Sequence, residues 1–189
     1  MPFTPVGAAG VVTPALLATG MLGLGTPNFA LGVSIGTSKW LLSLTVTTID
    51  SGSLGVGSGQ LPLIVPQPLL LANIAAAFAA TGNVGIMMPL KALGLATGLS
   101  TAFLQAIIKT THPGIGSGVG VARFSPVPAA PMIIAGLAEV GMVGQGVTTI
   151  ATAIGMGLNQ TFATLMIPIP IVGSASPAAG AGTGFGKVI

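Results

Sequence analysis

ALGLATGLSTAFLQAII, residues 92–108, places Leu95, Leu99, Ala102, Phe103 and Ala106 at the spacing of one helix face. Two further segments fall into the same frame without gaps, ALGVSIGTSKWLLSL at 30–44 and ATAIGMGLNQTFATLMI at 151–167. Aligned in this way, Gly36, Gly98 and Gly157 coincide, and so do Leu41, Phe103 and Phe162. A helix that recurs at intervals of roughly sixty residues is the sequence mark of a repeat architecture.

The flanks extend the pattern. Upstream of each helix stands a proline followed by an aliphatic run: TPALLATG from Thr13, QPLLLANIAAAFAATG from Gln67 and APMIIAGLAEVGMVG from Ala130. Proline suits the first helical position, where its missing N–H would be unpaired anyway, so Pro14, Pro68 and Pro131 read as three helix starts. Downstream, each block passes into Gly, Ser, Thr and Pro: TVTTIDSGSLGVGSGQLP, KTTHPGIGSGVGVARFSP and PIPIVGSASPAAGAGTGFGK. Alternate glycine gives these tails a period of two but weakens strand propensity, so irregular extended segments with some β content are expected.

The expected fold is therefore mainly α with extended Gly-rich segments, built from three pseudo-repeats of a helix–helix–extended unit. An N-terminal arm covers 1–12, and the repeats cover 13–60, 61–123 and 124–189, within one compact unit. With the prolines in register, the first block is the shortest between its two helices. Closure around a pseudo-threefold axis is the expected layout, and a linear solenoid is the competing one.

Composition limits the function. Half of the chain is hydrophobic (51%) and only 4% is charged, whereas a soluble domain carries roughly a quarter charged residues to cover its surface. An isolated soluble monomer does not fit these numbers. The outer face must meet lipid, or other chains in a permanent assembly. The high sequence pI comes from five scattered cations, Lys39, Lys91, Lys109, Arg123 and Lys187, against Asp50 and Glu139. They form no run that would track a phosphate backbone, and with one Trp and no Tyr there is little to stack on bases. No nucleic-acid partner is expected.

Chemistry-bearing residues are few. No complete G-x-G-x-x-G occurs, and the terminal GAGTGFGK departs from a phosphate-binding loop: Ala181 stands where the first glycine belongs and Val188 where Ser or Thr does. With no cysteine, a metal site would have to be assembled from His112, Asp50 and Glu139. Asp50 and His112 occupy the same place in their blocks, so a pseudo-threefold axis would bring them near each other. The simpler reading makes Asp50 a turn former and His112 the end of a helical block before Pro113. Glu139, in an apolar helix, reads as an interface or solvent-facing residue, or else as an intramembrane carboxylate. Trp40 is either a membrane-interface anchor or internal packing. No catalytic residue, cofactor or small-molecule substrate is expected.

The low charge, the abundance of Gly, Ala, Thr, Ser and Pro, the lack of Cys and the extended tails together resemble the virion structural proteins of large tailed bacteriophages. The resemblance is one of whole-chain composition and rests on no motif. It implies a non-enzymatic subunit of a head, neck, tail or baseplate, located in the virion and partnered by copies of itself and other structural chains. The alternative is an integral membrane or membrane-inserting pore protein. Its candidate spans are Leu69–Met88, Leu90–Ile108 and Met132–Ile154, each interrupted by polar or charged residues.

Overall fold

A computed structural model describes residues 5–21, 23, 25–43, 45–51, 56–60, 67–111, 118–124, 127–164, 167–171 and 181–187. The chain is mainly helical, as the periodicity predicts. In order it forms α1 (Pro5–Ala18), α2 (Gly25–Ser43), β1 (Thr45–Ser51), β2 (Val56–Gln60), α3 (Gln67–Ala80), α4 (Met88–Phe103), β3 (Ile107–Thr111), β4 (Gly118–Phe124), α5 (Ala129–Glu139), α6 (Gln145–Thr164), β5 (Ile167–Ile171) and β6 (Ala181–Lys187).

Glycine shapes all three helical hairpins in the same way. Gly20, Gly82 and Gly141 follow α1, α3 and α5 with φ of 87°, 75° and 79°, and Gly23, Gly85 and Gly144 precede the second helices at 130°, 142° and 111°. A side chain is strained at such angles, so each G-x-x-G folds where other residues would resist. The hydrogen bonds agree in detail. The N–H of Met21 donates to the Leu16 carbonyl (3.1 Å), that of Asn83 to Phe78 (2.8 Å) and that of Met142 to Leu137 (2.9 Å). Each helix end thus has a buried-side carbonyl satisfied by the chain leaving it.

One narrow stripe of each first helix is buried: Ala8, Val12 and Leu16 in α1, Leu70, Ile74 and Phe78 in α3, and Ala129, Ile133 and Leu137 in α5. Spacing by four keeps these residues on one face. The second helices bury wider faces, including Ala30, Val33 and Trp40 in α2, Ala92, Leu95 and Leu99 in α4, and Ala151, Ile154 and Leu158 in α6. All of these belong to one hydrophobic cluster. Each helix touches the next in sequence, and α6 returns to α1, so the six helices form a closed ring.

Proline placement corrects part of the sequence reading. Pro68 and Pro131 do lie in the first turns of α3 and α5, but Pro14 lies inside α1, which begins at Pro5. It sits on the exposed side of the helix, where the Gly10 carbonyl that loses its N–H partner faces solvent, and this is what makes an interior proline tolerable. Residues 5–12 of the expected arm belong to α1, which runs across that boundary and buries Ala8, Ala9 and Val12.

The strands form one antiparallel sheet in the order β5-β4-β3-β2-β1-β6. Its two edge strands, β5 and β6, also approach each other, so the sheet curls round on itself. Register partners share a face and successive residues alternate faces. Asp50 pairs with Gly57 and Gly182, Thr48 with Gly59 and Gly184, Val46 with Gly186, Gly120 with Ile169 and Gly118 with Ile171. Gly57 pairs in turn with Thr110, and Thr110 with Ala122. All strand glycines therefore lie on a single face, supplied by β2, β4 and β6 and interleaved with branched residues of β1, β3 and β5. In a strongly curled sheet of six strands, alternating small and large residues is how a narrow concave face is filled.

Candidate functional site

The three aligned glycines, Gly36, Gly98 and Gly157, mark close approaches in the helix ring. A Cβ at Gly36 would lie 2.7 Å from the Ile74 Cα, one at Gly98 would lie 2.7 Å from the Ile133 backbone nitrogen, and one at Gly157 would lie 2.8 Å from the Val12 Cα. Real Cβ atoms do not come that close to backbone, so these positions admit glycine only. They join α2 to α3, α4 to α5 and α6 to α1. One turn earlier, Gly94 meets the backbone of Gly136 and Leu137 and Gly32 faces the Phe78 ring, giving small-x-x-x-small stripes that let helices approach closely.

Polar side chains fasten other junctions of the ring, α5 with α6 and α3 with α4. Asn159 of α6 grips the segment entering α5: its Oδ1 accepts from the Val127 N–H (2.9 Å) and its Nδ2 donates to the Val127 carbonyl (3.0 Å). Gln67 Nε2, at the start of α3, donates to Thr97 Oγ1 of α4 (3.3 Å). Within α2, the buried hydroxyls of Ser34 and Thr37 have no hydrogen-bond partner. Trp40 is fully buried and meets Phe103 edge-on, with ring centroids 5.0 Å apart. Of the two readings open for Trp40, internal packing is the one observed.

Of the three candidates for a polar role, Asp50 and Glu139 fall among the described residues, on different elements. Asp50 lies on β1, on the glycine face of the sheet. Glu139 is the exposed last residue of α5, where a carboxylate meets the negative end of the helix dipole and gains nothing from it. His112 lies outside the described residues, as do Gly114 and Gly116. Among the described residues no group of three His, Cys, Asp or Glu is placed to hold a metal ion.

The cavities lined by described residues are small or shallow. One cleft, between Phe29, Lys91, Leu95, Leu137 and Ile150, has room for about one water. Lys91 Nζ stands 6.0 Å from the centre of the Phe29 ring there, a cation–π distance. The hairpin turns expose apolar tips instead: Val84, Ile86 and Val143 are each more than three-quarters exposed.

Among the described residues no helix is long and apolar enough to cross a membrane. The three apolar stretches considered as spans each break: 69–88 at the turn after α3, 90–108 on entering β3, and 132–154 at the turn between α5 and α6. Comparisons with protein-family models, with curated proteins and with solved structures each return no match.

The turn glycines are what the sequence reading missed. GMLG at 20–23, GNVG at 82–85 and GMVG at 141–144 are legible as a recurring G-x-x-G, and they supply a better register for the first helices than the prolines do.

Proposed function

We propose that the chain is a non-enzymatic structural subunit of a bacteriophage particle, made of three helix–helix–hairpin units closed around a pseudo-threefold axis. The observation that carries the functional reading is the surface. A chain with 4% charged residues presents Val84, Ile86 and Val143 at the tips of its helical hairpins, and such a surface is stable when other chains cover it.

The threefold reading is supported by one pair of shifts that serves the turn glycines, the close-approach glycines and the buried stripes alike. The steps from Gly36 to Gly98 to Gly157 also carry Gly20 to Gly82 to Gly141, Gly23 to Gly85 to Gly144, and Val12 to Ile74 to Ile133. They carry the buried stripes onto one another as well, Ala8 to Leu70 to Ala129 and Leu16 to Phe78 to Leu137. On this frame Pro14 falls with Ala76 and Ala135 rather than with the other prolines, and the first block is no shorter than the second. A subunit of this symmetry suits a site on a threefold or sixfold axis of a particle.

The test is biochemical. Purified particles of the phage that encodes the chain should contain it in fixed stoichiometry and release it only when the particle is disrupted. Absence from particles, with recovery of a discrete oligomer in lipid vesicles that needs detergent for release, would reject this reading in favour of a membrane-inserting protein.

A further inference from the structure

The three hairpin turns share one end of the helix ring. Gly32 faces Phe78 while Gly36 faces Ile74, and Gly94 faces Leu137 while Gly98 faces Ile133, so α2 runs antiparallel to α3 and α4 to α5. Each hairpin is antiparallel as well, so helix direction alternates round the ring. The turns therefore lie together, at the end opposite the one where α2, α4 and α6 lead into β1, β3 and β5.

That end is apolar where the fold does not require it to be. The segments TGMLGLGTPN (19–28), TGNVGIMMPL (81–90) and VGMVGQGVTT (140–149) are related by the same two steps as Gly36, Gly98 and Gly157, and none contains a charged residue or a histidine. Lys91 and Glu139 border them, one of each sign. Ile86 is 92% exposed, Val84 79% and Val143 78%. Among the described residues positive φ falls on glycine alone, so the positions between the turn glycines admit polar residues, as Asn83 shows.

The polar side chains of the first two turns are bonded inward. Thr19 Oγ1 donates to the Leu16 carbonyl (2.9 Å), Thr26 Oγ1 to the Met21 carbonyl (3.1 Å) and Thr81 Oγ1 to the Ala77 carbonyl (2.9 Å), while Asn83 Nδ2 donates to Thr81 Oγ1 (2.8 Å). Gln145, at the third turn, is exposed.

We propose that this end of the ring is a lipid-contacting surface, with Val84, Ile86 and Val143 entering the boundary between headgroups and acyl chains of a bilayer. An end without net charge, with polar side chains turned inward and apolar ones outward, complements an acyl layer. A protein interface carries about one hydrogen bond per 100–200 Å², and the first two turns spend these side-chain donors on their own backbone and on each other. The chain lies on the bilayer in this arrangement, and among the described residues no helix is long and apolar enough to cross it.

The experiment floats the full chain with vesicles of phosphatidylcholine alone and of phosphatidylcholine mixed with phosphatidylglycerol. Binding to the two should agree within about twofold, because the end has no net charge to read the anionic lipid. The bound chain should leave the vesicles on dilution, without detergent. Val84→Asn, Ile86→Asn and Val143→Asn together should lower the bound fraction about tenfold or more. Leu42→Asn with Leu104→Asn, at half-exposed positions toward the strand end, should stay within about twofold of the unaltered chain. Circular dichroism separates a folding failure from a binding loss. If the triple variant does not fold, Val84→Trp decides: Trp40, the chain's own tryptophan, is fully buried, so the new one reports its own surroundings. Its emission should shift to the blue and be quenched by lipids brominated on the acyl chain, whereas that of Leu104→Trp should not. Binding to the anionic vesicles alone, release only by detergent, equal losses in the two sets of variants or an unquenched Val84→Trp would overturn the proposal. So would a triple variant that keeps its vesicle binding but dissociates an oligomer, since the turns would then meet a second copy of the chain. Particle content plays no part in these measurements, so this proposal and the subunit reading fail separately.

Discussion

Gly98→Ala is the sharpest perturbation the helix ring offers. Ala is the better helix former by about 1 kcal/mol, so the substitution would stabilise an open helical position. At Gly98 the added methyl would meet the backbone of Ile133 at 2.7 Å, and a backbone atom cannot rotate away as a side-chain end can. α4 and α5 must separate, and overpacking of this kind costs about 1–3 kcal/mol, at the upper end when backbone is the obstacle. The net expectation is a loss of about 2 kcal/mol, or a fall in Tm of about 4–8 °C for a chain of this length. Gly10→Ala is the internal control: Gly10 is in α1 and a Cβ there meets nothing within 4 Å. It should gain about 0.5–1 kcal/mol from the same chemical change. Denaturant unfolding followed by circular dichroism measures both. Equal effects at the two positions, or a stabilised Gly98→Ala, would refute the close-approach argument.

Three other substitutions probe separate features. Pro14→Ala, on the exposed side of α1, should restore a helix hydrogen bond and stabilise by about 1–3 kcal/mol in thermal or urea unfolding. Asn159→Ala strips the partner from the N–H of the buried Val127, whose carbonyl still accepts from the Ala129 N–H, and should cost about 1–3 kcal/mol, with faster amide exchange at Val127. Thr37→Val removes a fully buried hydroxyl that has no partner while keeping the side-chain shape. It should be neutral or stabilise by about 1 kcal/mol, and a large loss would mean that the hydroxyl is bonded in solution.

How far the sequence could be read depends on where each signal is held. Gly36, Gly98 and Gly157 align without gaps because each is fixed by a local contact with a neighbouring helix backbone, and a residue that tolerates no Cβ stands out in its segment. The first helices misaligned because proline is ambiguous. Pro68 and Pro131 lie in first turns, whereas Pro14 is tolerated mid-helix by exposure, a property that depends on tertiary packing. Gly20, Gly82 and Gly141 each follow a helix, since positive φ after a helix is a local demand that glycine meets best. The period of two in GVGVARF and GTGFGK was visible, but the pairing of β6 with β1, across most of the chain, was not. Which face the glycines share follows only from that long-range register. The expected meeting of Asp50 with His112 falls partly outside the described residues, while Glu139 stands on the helix layer, away from the strand that holds Asp50.

Lys39, Thr101 and Gln160 are related by the same two steps as Gly36, Gly98 and Gly157 and are all exposed, and the chain has no native cysteine to interfere. Cysteines introduced two at a time at these positions and spin-labelled give three distances by pulsed electron resonance. Closure around a pseudo-threefold axis predicts three distances that agree to within the reach of the labels. A distance between 39 and 160 about twice the other two, as in a linear array of repeats, would contradict it.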